Sequence, residues 1–258
     1  MKTKAWLIAA AFLMAGGIVV FAAAMASLGW DFAKLSTSEY ETSTYEITDI
    51  FSSISVNTDT ADIIFAPSED GKCKVVCHEN VKLKHAVSVK DGVLSVDETN
   101  SKEWYDYIGI NFESTDITIY LPETELENIT LKTSTGRIGI ENISANKIDI
   151  SVSTGKVELT DINCEELTTT GDTGSVFLKG VLAENMYINR STGDVELDGC
   201  DSDELSIETN TGDVKGSLLS GKDFECETST GDIDVPDTVG GKCRIKTSTG
   251  DIKISISE

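Results

Sequence analysis

Proline is nearly missing from this chain of 258 residues, with three against 21 glycines. That scarcity excludes a disordered, proline-rich stalk and points to an ordered body. Basic residues are also few: 21 Lys and Arg stand against 44 Asp and Glu, for a formal charge of −23. Such a surface repels phosphate, which excludes nucleic acid as a partner and a body lying flat on anionic lipid. It suits solubility, cations or basic partners. The two histidines, His78 and His85, have no serine or thiol nucleophile motif around them. Nothing here supports general-base catalysis.

What the sequence does have is a fixed period. Thr-Gly recurs with its glycines at Gly136, Gly155, Gly174, Gly193, Gly212, Gly231 and Gly250, and each successive difference is 19. A period without insertions means copies of one supersecondary unit laid against each other, because a unit of another length would break the lateral register. Seven units start at Leu126, Ala145, Cys164, Ala183, Ser202, Gly221 and Gly240. Their fourth position reads Ile129, Ile148, Leu167, Met186, Leu205, Phe224, Cys243, and their thirteenth reads Ile138, Val157, Val176, Val195, Val214, Ile233, Ile252. Positions four, six, eight and ten share one parity, and thirteen and fifteen share another, with polar residues between. That is the period of half-buried strands. The parity changes across the repeated glycine, which accepts a sharp corner at no steric cost. A third short face falls near position eighteen. The fold class expected is all-β: a parallel β-solenoid, a right-handed β-helix of seven regular coils at residues 126–258. Leucine-rich repeats are excluded, since their Leu/Asn spacing and helical limb are missing.

The start of the chain is of another kind. Lys2 and Lys4 precede an apolar run from Ala5 to Trp30, long enough at 1.5 Å per residue to cross a hydrocarbon core of about 30 Å. The reading is a transmembrane anchor at 5–30 with a cytoplasmic tip at 1–4, and everything after Asp31 outside the cell. The alternative is a cleaved signal peptide, with sites at Ala22-Ala23-Ala24 and Ala24-Met25-Ala26. Residues 31–46 read as a polar juxtamembrane tether. Residues 47–125 show patchy alternation, including Ile108 to Phe112, and hairpin signals at Asp70-Gly71 and Asp91-Gly92. Within them Asn57-Thr58-Asp59-Thr60-Ala61-Asp62-Ile63 echoes Glu208-Thr209-Asn210-Thr211-Gly212-Asp213-Val214. This region is a degenerate part of the same stack or a small β-cap that protects its edge. At the far end the chain stops at Glu258 after a full coil. Either Ser255, Ser257 and Glu258 blunt that edge or another chain covers it.

Three residue sets are candidates for chemistry. The column Asp194, Asp213, Asp232 and Asp251, flanked by Glu196 and Asp234, stacks carboxylates about 5 Å apart, where like charges cost on the order of 1 kcal/mol per pair. Either each Asp accepts hydrogen bonds from corner amides, or the column is a ladder for calcium or another hard cation. The denser Gly-Gly-x-Gly-x-Asp loop of calcium-binding repeats is absent. The Thr column at position ten reads as structural, its hydroxyls bonding coil to coil. Among six cysteines, Cys73 and Cys77 share one strand face too far apart to bridge, Cys226 and Cys243 fall in inward columns, and Cys164 and Cys200 lie near corners. They read as buried free thiols. Cys73-x3-Cys77-His78 makes a poor zinc site, because its ligands point to opposite faces.

The apolar start, Asp31-Phe32-Ala33-Lys34-Leu35-Ser36-Thr37 with Tyr40-Glu41-Thr42, then Trp104-Tyr105-Asp106, Ile119-Tyr120-Leu121-Pro122 and the Ser-Thr-Gly-Asp coils, together resemble the bacterial putative-adhesin family. This is a domain-of-unknown-function family common in Gram-positive surface proteins, and the likeness covers nearly the whole chain past Asp31. It implies a surface β-solenoid and carries over no catalytic residues. Arg137, Lys156 and Ser175 depart from the family's Asp column in the first three coils.

The function expected is therefore a membrane-anchored, adhesin-like binding module without catalytic activity or cofactor, contacting an extracellular protein or glycan through its long faces. Tyr187 and Phe177 interrupt otherwise polar columns and mark such a patch. A structural or signalling ectodomain that self-associates through an open C-terminal coil is the alternative. A polysaccharide lyase stands behind both, on fold analogy alone. It would need Arg190, Lys215, Arg244 and Lys246 to converge beside carboxylates.

Overall fold

The computed structural model describes residues 2–31, 38–103 and 113–257. The family-like residues 32–37 and Trp104-Tyr105-Asp106, and the strand expected at Ile108 to Phe112, lie outside the described residues. The chain divides into two units, one holding the helix and the other holding Glu41–Ser101 and Ser114–Glu258. The helix, α1, spans Lys2–Ser27. Its segment Trp6–Ser27 has a mean hydropathy of 2.5, the length and composition shared by membrane spans and signal sequences.

The second unit is nearly all β. Alternation of β-branched and polar residues gives strands with one face buried, such as Asp116–Leu121, where Ile117, Ile119 and Leu121 turn inward. The strands are β1 (Tyr40–Ile47), β2 (Ser53–Thr58), β3 (Asp62–Pro67), β4 (Cys73–Asn80), β5 (Leu83–Lys90), β6 (Val93–Asn100), β7 (Asp116–Leu121), β8 (Glu125–Thr135) and β9 (Ile138–Thr154). After them come β10 (Val157–Thr173), β11 (Val176–Lys179), β12 (Leu182–Thr192), β13 (Val195–Thr211), β14 (Val214–Leu218), β15 (Lys222–Thr230), β16 (Ile233–Asp234), β17 (Gly241–Thr249) and β18 (Ile252–Ile256). Tyr40 to Glu46, expected in the tether, belong instead to β1, which pairs with β4.

Pairing through the repeats is parallel and keeps the period. Ile138 stands on Val157 and Ile148 on Leu167, and the same step of 19 carries Leu167 to Met186 and Met186 to Leu205. The result is a stack of tiers whose inward residues form continuous columns. Ile129, Ile148, Leu167, Met186 and Leu205 are all at most 1 % exposed. Each such side chain contributes roughly 1.5–3 kcal/mol by leaving water. The third face is real: Ile143, Ile162, Val181 and Cys200, at position eighteen, are buried.

The strands of the first region pair in two ways. β2 and β3 lie directly on the first repeat, with Ile54 on Ile129 and Ile63 on Ile138. On their other side come β6 and β7, again parallel, with Ile54 against Leu94 and Ile63 against Ile117. Beyond that the direction changes. β5 runs antiparallel to β6, and β4 antiparallel to β7, closing that end of the stack. The echo at Asn57 to Ile63 is thus structural: Thr58 sits on Thr133, and Asp62 takes the place of a corner aspartate.

The other end departs from chain order. β13 pairs not with β15 but with β17, so Leu205 stands on Cys243, 38 residues on. β17 in turn pairs with β15, putting Cys243 against Phe224. β14, β18 and β16 follow the same order, with Val214 on Ile252 and Ile252 on Ile233. The tier from Gly241 is therefore inserted between the two tiers that precede it in sequence. This corrects the expectation that the last coil forms the open edge.

The charges alternate across the inserted tier. Lys242, Arg244 and Lys246 stand between Glu204, Ser206 and Glu208 on one side and Asp223, Glu225 and Glu227 on the other. Arg244 Nη2 lies 3.9 Å from Glu225 and Lys246 Nζ 3.3 Å from Glu227. Stacking in chain order would set Glu204 against Asp223 and Glu208 against Glu227. At strand spacing each such like-charge contact costs on the order of 1 kcal/mol.

Candidate functional site

The corner glycines are fixed by close approach as much as by conformation. A Cβ on Gly193 would lie 2.2 Å from the carbonyl oxygen of Gly174, and Gly193 itself has φ of +149°. The same contact recurs down the column, from Gly136, whose neighbour is the Ala61 carbonyl, through Gly155, Gly174 and Gly212 to Gly250 and then Gly231. Between tiers the glycine amide donates to the Thr carbonyl of the next, as in Gly155 N to Thr173 O at 2.9 Å. The Thr side chains at position ten point to solvent, contrary to expectation. The inward hydroxyls sit two residues earlier, where Thr209 donates to Gly193 O and Thr247 to Gly212 O. The inward parity of each first strand ends at position eight, so the chain turns outward before the glycine.

Beside the glycines runs the Asp column. The Asp213 amide donates to Asp194 Oδ1 at 2.9 Å, the Asp251 amide to Asp213 Oδ1 at 2.8 Å, and the Asp232 amide to Asp251 Oδ1 at 2.9 Å. Asp62 does the same for the Arg137 amide at 2.7 Å. The remaining oxygens of two members take lysines, with Lys215 Nζ 2.7 Å from Asp213 Oδ2 and Lys253 Nζ 2.6 Å from Asp251 Oδ2. These lysines, and then the donated amides, hold both carboxyls below the usual carboxylate range. The column thus carries protein donors that offset its own repulsion.

The four basic residues that a lyase would need do not converge. Lys215 is on Asp213, Arg244 on Glu225, and Lys246 on Glu227. Arg190 is buried, donating from Nη1 to Val152 O at 3.2 Å in the space left by Gly171, while its Nε and Nη2 have no partner among the described residues. Burial pushes its guanidinium down to about 10. Phe177 is half-buried under Lys156, whose Nζ lies 4.1 Å from the ring. Tyr187 is exposed and lines an open groove of about 430 Å³ with Ser206, Phe224, Glu225, Lys242 and Arg244.

That groove leads to the open end of the stack. Among the described residues β15 pairs only with β17, and β16 only with β18, so the outer edge of both is unpaired. The inward residues of this tier show it. Ile233 is 46 % exposed and Phe224, Cys226 and Val235 are half-exposed, whereas Val214 in the tier two steps below is fully buried. The edge is acidic, carrying Asp223, Glu225, Glu227, Asp232 and Asp234. Lys222 is the exception: it is buried, and its Nζ reaches Asp201 Oδ1, Ser202 O and Ser220 Oγ at 2.5–2.8 Å.

At the closed end the two histidines separate. His78 points outward to Thr42 Oγ1 at 3.1 Å, on the face opposite Cys77, as the alternation implies. His85 is 3 % exposed and meets Glu79, a residue the sequence reading passed over. Glu79 shares the parity of Cys77, and the tight return from Asn80 to Leu83 brings His85 across from it. That parity and that turn were the available signals. All six cysteines are free thiols, and the buried Cys77 is pushed up to about 12 by desolvation, with Glu79 and Asp116 adding to it.

No curated protein matches the chain. Among solved structures, a putative adhesin from Bacteroides fragilis aligns with a TM-score of 0.50 at 21% identity, over 84% of this chain and 97% of its own. A putative cell adhesion protein from Clostridium sporogenes gives 0.42 at 15% identity, over 86% of this chain and 100% of its own. The first likeness is one of fold alone. The family model Toastrack DUF4097 matches residues 51–258, from just before β2 to the end of the sequence. The chain belongs to the Toastrack DUF4097 family.

Proposed function

We propose that this chain is a membrane-anchored, cell-surface binding module that binds without catalysing. α1 serves as the anchor with its N-terminus in the cytoplasm, and the tiers form a right-handed β-solenoid outside the cell. The step of 19 in the pairing and the continuous inward columns support the solenoid. The apolar length of α1 supports the anchor.

One observation carries the binding reading: among the described residues, one end of the stack finishes in antiparallel strands and the other in the unpaired parallel edge of β15 and β16. An unpaired parallel edge is a template for strand addition, in which the main chain supplies affinity and alternate side chains supply specificity. The molecule's own tier from Gly241 describes the occupant. It is a basic strand with a glycine at its corner, and it sits between acidic neighbours. The partner is therefore an extended, Lys/Arg-rich protein segment rather than a second copy, which would bring Asp223, Glu225 and Glu227 against their own equivalents.

The test is binding of the full chain in detergent micelles to peptides of alternating Lys/Arg and β-branched residues with one glycine, alongside glycan and matrix-protein arrays. Salt-sensitive binding of the basic peptides, lost in Asp223→Lys/Glu225→Lys/Glu227→Lys, is expected. Turnover of a polyuronide, or peptide binding unchanged in that variant, would overturn the proposal.

A further inference from the structure

We infer that the closed end of the stack holds a transition-metal site of the zinc type, made by Cys77, Glu79 and His85. Sγ of Cys77, a carboxylate oxygen of Glu79 and a ring nitrogen of His85 lie within 4.8 Å of one another, and all three residues are buried. Thiolate, imidazole and carboxylate together are the ligand set of tetrahedral zinc. Bonds of about 2.0–2.3 Å separate tetrahedral ligands by roughly 3.3–3.8 Å, so closing on an ion takes a shift of about 1 Å at the β4–β5 return.

Two observations beyond proximity point to a ligand. Glu79 is fully buried, and its Oε1 has no hydrogen-bond partner among the described residues, while Oε2 takes the His85 amide at 2.6 Å and Nδ1 at 2.9 Å. A carboxylate oxygen left unpaired in an apolar setting is costly, and a cation would satisfy it. The second is the far side of the imidazole. His85 Nε2 lies 3.0 Å from Thr58 Oγ1, which donates to Glu98 Oε2 at 3.1 Å, and Glu98 is itself held by the Asp59 amide at 2.9 Å. A ligating histidine is oriented in this way, by donating its other N–H to a chain that ends on a carboxylate. On binding, the ion would displace to solvent the Cys77 thiol proton and the proton shared between His85 Nδ1 and Glu79 Oε2. Nε2–H would stay on Thr58, and Glu79 would turn from hydrogen-bond acceptor to ligand. The fourth position is left for water.

Co(II) is the probe. The full chain, reduced and stripped of metal in detergent micelles, should bind one equivalent with thiolate-to-metal charge-transfer and tetrahedral d–d bands, both displaced by Zn(II). Cys77→Ser should abolish the charge-transfer band and Cys73→Ser should keep it. Thr58→Val retains all three ligands and should weaken binding about tenfold. Should Cys77→Ser fail to fold, the wild-type chain decides: Zn(II) should raise its Tm with rising free metal and protect Cys77 from alkylation. Absence of the charge-transfer band in the wild-type chain, its persistence in Cys77→Ser, or alkylation of Cys77 unaffected by zinc would leave a buried Glu–His pair and overturn the site.

Discussion

A side chain at residue 193 has nowhere to go: the Gly174 carbonyl occupies its place and φ is +149°. Gly193→Ala should cost about 1–3 kcal/mol from backbone strain alone, more with the clash, read as a lower urea midpoint. Gly139→Ala, which meets nothing within 4 Å, should be close to neutral. The Asp column makes a pH prediction. Asp213 and Asp251 have folded pKa values below their unfolded ones, through their lysines and then the amides they accept. Their contribution is complete above the unfolded value of about 3.9 and is lost as pH falls through the lowered folded values. Asp213→Asn/Asp251→Asn should therefore flatten the fall in stability below about pH 4, measured by urea unfolding across that range. Both Thr-Gly and the Asp column were legible because a period displays them. Arg190 was legible as a residue but not as a buried one. Its place depends on the glycine one tier away, and Arg190→Met should leave stability within about 1 kcal/mol or raise it.

At the scale of the element, the parity of each strand gave its inward face, and the break before Thr-Gly was placed two residues late. A strand period says which residues alternate, not where the chain starts to turn. The order of the tiers was not legible at all. Repeats of one length offer every neighbour the same register, so order depends on contacts between tiers, which are read only in pairs. Lys242→Glu/Arg244→Glu/Lys246→Glu should destabilise the chain by roughly 1–3 kcal/mol at low salt, and by less in 0.5 M NaCl as screening grows. Equal loss at both salt concentrations would show that shape, not charge, sets the order. Because the Asp column already carries amides and lysines, calcium added to the metal-free chain should leave its Tm unchanged.

For the whole molecule, the sequence disclosed an apolar N-terminal helix and a nearly all-β remainder. It misplaced the open end. It also missed the Glu79–His85 contact, which joins residues from the two arms of a hairpin whose register no repeat announces. A formal charge of −23 on the chain is self-repelling, so moderate salt should raise the urea midpoint of the wild-type chain.

The inserted tier also bears on assembly. A stack laid down in the order of synthesis can zip forward one rung at a time, each new strand finding a finished edge. Residues 221–239 leave the ribosome before residues 240–258, yet they end up outside them. The earlier segment must either wait undocked or settle on the wrong neighbour and be pried away, and the later one must thread into a slot rather than land on a ledge. Docking of the tier from Gly241 is thus a wedging rather than an addition to an edge.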